Sequence, residues 1–140
     1  MADNLYLEIV SPQGIIFEGD TDQVTLPTVN GIITILPHHT SLFTKLSEGE
    51  IEVLTQGKRT SYVISGGFLE INKNKASVLS DYAVRAESIE QAASEEKKRQ
   101  AEQKLHEKLT NEEFTTADKD LKISILELKV AQKARKRQRL

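Results

Sequence analysis

By type, the adjacent pair His38 and His39 is the part of this 140-residue chain best suited to bind a metal or move a proton. Neighbours on a strand point to opposite faces, and on a loop the two rings would need a carboxylate such as Asp20 or Asp22 to complete a ligand set. An interface or solvent role is therefore the expectation, and no metal site is predicted. The chain has no cysteine, which excludes thiolate ligands and disulfides and fits a reducing compartment. It holds no glycine-rich phosphate loop, no Ser-x-Gly elbow, and no acid pair spaced for general acid–base work. No catalytic residue and no cofactor site is expected, so the sequence reads as a non-enzymatic part.

The other chemically loaded stretch is the C-terminal run, with Lys129, Lys133, Arg135, Lys136, Arg137 and Arg139 and no acidic residue after Glu127. Such a run attracts an acidic surface, weakly per exposed pair but with useful steering at a distance. It could equally be a solvated helix end that complements its own dipole. Nucleic acid is the poorest fit, because the whole chain carries −2 and the run has no aromatic side chain to stack on bases.

The elements that must position these residues divide the chain in two. All seven glycines and all three prolines lie before residue 68. Residues 1–86 carry six Lys or Arg against ten Asp or Glu, and residues 87–140 carry thirteen against eleven. No apolar run approaches the roughly 20 residues that cross a bilayer, and the Met-Ala-Asp-Asn start is unlike a signal peptide. A soluble chain, able to sit on a membrane complex, is predicted.

The first segment has the period of strands. Leu5, Leu7 and Ile9 alternate with Tyr6, Glu8 and Val10, and β-rich runs follow at 15–19, 24–26, 32–36, 51–54, 62–65, 68–71 and 76–79. Turns are predicted at Pro12-Gln13-Gly14, Val29-Asn30-Gly31, Ser47-Glu48-Gly49, Gln56-Gly57-Lys58 and Asn72-Lys73-Asn74, and Pro37 should stop the strand before the histidines. Short strands at this spacing indicate an antiparallel sandwich or flattened barrel. Gly66-Gly67 inside a strand pattern marks a bulge or the close approach of another backbone.

The second segment has the period of helices. Ser88 with Gln91 predicts a capping box and a helix from Ile89, with Ala92, Ala93, Ala101, Leu105 and Leu109 on its apolar side. Thr110–Glu113 is the expected turn. A second helix is predicted from about Thr116, with Ala117, Leu121, Ile125, Leu128 and Ala131 at helical spacing. Alanine buries little, on the order of 0.8 kcal/mol against roughly 1.5 to 3 for Leu or Ile, so the seam of this hairpin should be weak enough to open.

Several of these residues carry a family resemblance. Gly31, Ile35-Leu36-Pro37, His39 and Leu42 are similar to the G-E-x-G-I-L-P-x-H-A-P-L segment of the epsilon subunits of F-type ATP synthases. Val63-Ile64-Ser65-Gly66-Gly67-Phe68-Leu69-Glu70-Ile71 and Ser77-Val78-Leu79-Ser80-Asp81 resemble the family's V-x-G-G-F-x-E-V and V-T-V-L-A-D runs, and the opening with Phe17 and Gly19 is shared.

The resemblance implies an α+β fold, a ten-stranded antiparallel β-sandwich over 1–86 followed by a two-helix hairpin over 87–140. It implies a rotor-stalk subunit whose sandwich binds the gamma subunit and the c-ring, and whose hairpin can reach the alpha/beta catalytic head and inhibit ATP hydrolysis. Gly31, Ile32, Pro37, His38, His39 and Leu42 would then face the c-ring and gamma. Lys129, Lys133, Arg135, Lys136, Arg137 and Arg139 would approach the head. Such a subunit is peripheral at the cytoplasmic face of the bacterial plasma membrane, or at the thylakoid equivalent.

Two positions depart from the family pattern. Ile32 stands where an acidic residue commonly contacts the c-ring. Ile89-Glu90-Gln91-Ala92-Ala93-Ser94 lacks the arginine of the I/L-D-x-x-R-A motif through which some members bind ATP, which argues against nucleotide binding. A free-standing sandwich adaptor with a basic helical tail is the competing reading.

Overall fold

The alternation at the start of the chain becomes β1 (Leu5–Ser11), from which Leu5, Leu7 and Ile9 point into the core with no exposed surface. The computed structural model describes residues 3–107 and 109–139, with side chains as far as Arg137, and the chain divides into two units between Arg85 and Ala86.

The first unit is all strand. After β1 come β2 (Gly14–Thr21), β3 (Gln23–Thr28), β4 (Gly31–Ile35), β5 (Leu42–Thr55), β6 (Lys58–Asn72), β7 (Lys75–Leu79) and β8 (Ala83–Arg85). They form one hydrogen-bonded sheet in the order β2-β1-β7-β6-β5-β3-β4, with β8 also on β6. Every pairing is antiparallel except β1 with β7. Gln56-Gly57 and Lys73-Asn74, each pair with positive φ, make the tight turns that join β5 to β6 and β6 to β7.

Eight strands are described where ten were expected, because β5 and β6 run unbroken for 14 and 15 residues. Each serves both layers of the sandwich by changing which parity faces inward. On β5 the buried apolar residue Leu46 gives way to Ile51 and Val53, and on β6 Tyr62 and Ile64 give way to Leu69 and Ile71. The two strands switch together, so their pairing keeps a single register from Leu42↔Ile71 to Thr55↔Lys58.

The turn expected at Ser47-Glu48-Gly49 is therefore absent. Gly49 is there for space: a Cβ on it would lie 2.8 Å from Cγ of Pro27 on β3. Pro27 in turn sits where the β3–β5 ladder is irregular, between Thr25↔Glu52 and Thr28↔Leu46, so its missing N–H is not called on by β5.

Gly66-Gly67 resolves to the second of its two readings. The β6 register is the same against β7 and β8, so no residue is bulged out of it, and Ser65 N–H donates to Tyr82 O at 3.2 Å across the gap between them. What Gly67 supplies is room. Its φ is +127°, and a Cβ would stand 2.0 Å from the carbonyl oxygen of Leu79. Between β3 and β4 the two-residue turn Val29-Asn30 forms as expected, although the positive φ falls on Gly31 and not on Asn30.

The second unit is helical. A 3-10 turn (Ala86–Ser88) leads to α1 (Gln91–Leu105) and then α2 (Asn111–Arg139). The capping box expected at Ser88 does not form, since Ser88 belongs to the 3-10 turn and α1 starts after Glu90, whose side chain makes no cap bond. The effective cap is on the other helix. Thr110 Oγ1 accepts from Glu113 N–H at 3.2 Å, so α2 begins five residues earlier than periodicity suggested.

The buried positions also differ from the apolar pattern. Ala92 and Ala93 are exposed, and α1 buries Ser94 and Ala101 instead. On α2 the buried set is Ala117, Ser124, Glu127, Val130 and Ala131, while Ile125 is 42% exposed and Leu121 and Leu128 are half-buried. Two small hydroxyls and one carboxylate thus occupy places that an apolar-period count gives to larger side chains.

Candidate functional site

The histidine pair is built by Pro37, which follows the last residue pair of β4 and starts a turn. His38 takes φ +65° there, and its N–H donates to Asn74 Oδ1 at 2.8 Å, while Nε2 lies 3.6 Å from Asp3 Oδ1. Asn74 Nδ2 donates to Asn4 O at 2.6 Å, which ties the loop to the chain start. His39 turns the other way, with Nδ1 2.7 Å from the carbonyl oxygen of Thr40. The rings have separate partners, and among the described residues no group of three His, Asp or Glu is placed to hold a metal.

The six residues assigned from the resemblance do not form one patch. Gly31 and Ile32 lie at the hairpin end of β4, with Ile32 77% exposed, whereas Pro37, His38 and His39 lie past its other end. Three strand residues and Leu36 lie between the groups, and the five steps from Ile32 to Pro37 span roughly 15 Å. Leu42 opens β5 and packs, half-buried, against the core.

A feature that sequence reading missed lies on the outer face of the sheet. Val10 pairs with Ile15 on one side and Leu79 on the other, Leu79 pairs with Phe68, and Phe68 pairs with Lys45. Paired residues share a face, so Ile15, Val10, Leu79 and Phe68 form a row across four strands, continued on β5 by Phe43. Phe43 and Phe68 stack with ring centroids 5.7 Å apart and planes 18° from parallel. Ile15, Leu79 and Phe43 are each more than half exposed, and Phe68 is 46% exposed. The signal was available in principle: each of these residues occupies the outward parity of its strand, where a solvated face would carry polar side chains.

Three groups have displaced titrations. Desolvation first, then the bond it donates to Glu18 at 3.2 Å, raises the Tyr6 phenol above its usual range. Arg99 holds the Glu96 carboxyl down, and Glu96 holds the Arg99 guanidinium up, in a pair one turn apart on α1. All three groups lie on open surface, where such pairs contribute little.

On α2, Lys129, Lys133, Arg135 and Lys136 are exposed and Arg137 is half-buried, while the side chain of Arg139 falls outside the described residues. Arg135 donates to Gln91 Oε1 at the start of α1, so the basic end of α2 lies beside the first turn of α1. No described helix is long and apolar enough to cross a membrane.

A sandwich with an exposed apolar row, linked to a helical hairpin with a cationic end, has the features of a docking subunit. The sequence comparisons give the particular kind. The model of the beta-sandwich domain of the ATP synthase delta/epsilon chain matches residues 4–86. The chain is 35% identical over 134 residues to an ATP synthase epsilon chain of Herpetosiphon aurantiacus, covering 96% of this chain and 98% of that one. It is 34% identical over 137 residues to that of Hydrogenovibrio crunogenus, at 98% and 95% coverage. The fold is also that of a chain in the mitochondrial ATP synthase of Euglena gracilis, with a TM-score of 0.75 at 23% identity over 88% of this chain and 78% of that one. The chain belongs to the ATP synthase epsilon chain family.

Proposed function

We propose that this chain is a non-catalytic rotor subunit of a proton-translocating F-type ATP synthase, which joins gamma to the c-ring and restrains ATP hydrolysis through its helical hairpin. The observation that carries the docking half is the row Ile15–Val10–Leu79–Phe68–Phe43. Apolar side chains in register across four strands, with Phe43 stacked diagonally on Phe68 from the fifth, gain by leaving water, at about 25 cal/mol per Å². We assign this row to gamma. The hairpin end at Gly31 and Ile32, and the loop of Pro37, His38 and His39 leading to Leu42, are assigned to the c-ring side and the foot of gamma. Ile32 offers the ring an apolar contact in place of an ionic one. The cationic end of α2, from Lys129 to Arg139, is assigned to the alpha/beta head. The chain would then be peripheral to the membrane through the complex, on the cytoplasmic face in a bacterium.

The test is co-purification from cells or reconstituted parts. The full chain is expected to bring down a gamma-like subunit and a membrane ATPase, and Phe68→Asp to lose gamma while melting within a few degrees of the parent. Retention of gamma by a folded Phe68→Asp protein would move the docking face elsewhere. Absence of any ATPase subunit would return the free-standing adaptor.

A further inference from the structure

The exposed apolar row adjoins a pocket of about 280 Å³. Val10, Phe68 and Leu79 of the row line it, and Gly67 continues the apolar side, where its missing Cβ lets β6 lie against Leu79 and Ser80. Two turns make the rims. On one, Ser11 Oγ accepts from Gln13 N–H at 3.3 Å; on the other, Ser80 Oγ accepts from Tyr82 N–H at 3.4 Å and donates to Tyr82 O at 2.8 Å. Both serines are buried. A hydroxyl that turns back on its own backbone fixes a turn, so both rims are set before anything binds. Asp81 stands on the second rim, between Ser80 and Tyr82. It is exposed, it is the only charged residue lining the pocket, and it pairs with no described side chain.

From this arrangement we propose that the pocket takes one basic side chain, Lys or Arg, of the partner that covers the row. Its methylenes lie on Val10, Phe68 and Leu79, and its charged head meets the Asp81 carboxylate. The inference rests on the assignment of the row to gamma and names the anchor that gamma brings. Solvation chooses the occupant. Once a partner covers the row, the carboxylate beside it loses water, and a purely apolar anchor leaves it unpaired, which is the costly case for a charge. An acidic anchor sets like charges together. A long basic side chain suits both halves of the pocket, because its stem is apolar and its head is not. The row attracts any apolar surface, whereas the pocket selects among them and sets the position in which gamma docks.

Rates of binding between the full-length chain and purified gamma of the same enzyme test the anchor. A charge pair enclosed on docking acts on dissociation, whereas a charge left at the rim acts on association. Asp81→Asn keeps the shape and removes the charge, and should speed dissociation about tenfold or more with association nearly unchanged. Asp81→Lys should lose gamma. One variant from a scan that replaces each exposed Lys or Arg of gamma by Glu should restore binding to Asp81→Lys, and the residue that does so shows which of the two is the anchor. Both substitutions replace an exposed side chain, so melting within a few degrees of the parent is expected. Unchanged or slower dissociation of Asp81→Asn, a change confined to association, or rescue by no gamma variant overturns the anchor and leaves the row to be judged by Phe68→Asp. If folded Phe68→Asp keeps gamma, the docking reading itself fails and the anchor with it.

Discussion

Gly67 shows how much a single missing methyl group can decide. A side chain there meets the carbonyl of Leu79 at a distance no contact tolerates, in a backbone conformation that L residues avoid. Gly67→Val is expected to destabilise the sandwich by about 3 kcal/mol in a denaturant titration. Gly14 is the control, with nearly the same φ of +125° and no atom within 4 Å of its would-be Cβ. Gly14→Ala should cost only the strain, about 1 kcal/mol, and equal losses at the two positions would mean that φ alone sets the cost. The Gly66-Gly67 pair was visible in the sequence, but two causes, a bulge and a close approach, leave the same trace there. Only the unbroken β6 register separates them.

At the scale of elements, legibility followed the strength of the local signal. Strand alternation located most of β1 to β7, and the Gln56-Gly57 and Lys73-Asn74 turns fell where they were expected. The long strands escaped because Gly49, a turn former by habit, serves packing against Pro27. The hairpin seam escaped because burial there follows closeness of approach, which selects Ser94 and Ser124 over Ala93 and Ile125. The apolar row escaped because it needs cross-strand register, which no single strand reveals. Two expectations follow at this scale. Thr110→Ala should remove the cap of α2 at a cost of about 1 kcal/mol, read as faster hydrogen exchange in its first turn. The isolated chain should not bind ATP at sub-millimolar concentration. The missing motif arginine falls at Ala93, and Glu127 puts a carboxylate in the seam nearby. Saturable calorimetric binding below about 1 mM, some 4 kcal/mol of affinity, contradicts this.

For the whole molecule, the cationic end of α2 is the part whose removal should be felt by the assembled enzyme. Truncation after Glu127, or neutralisation of Lys133, Arg135, Lys136, Arg137 and Arg139, is expected to raise ATP hydrolysis while assembly through the sandwich persists. Each exposed pair is weak, yet several together can shift a two-state equilibrium by a few kcal/mol, or roughly a hundredfold. Salt should mimic the change in part, because exposed charges are screened beyond about 10 Å at 0.1 M. A steady-state assay of both proteins at two ionic strengths decides the matter, equal rates leaving the run as a solvated helix end.

The unequal helices add a dimension of reach. At 1.5 Å per residue, the 29 residues of α2 span about 43 Å and the 15 of α1 about 22 Å. Folded, the unit is only as long as its longer arm. Straightened end to end, it measures about 65 Å before the connecting residues are counted. The shorter helix thus sets the gain in length on straightening, and each turn removed from α1 shortens the straightened unit by about 5 Å while leaving the folded length as it was.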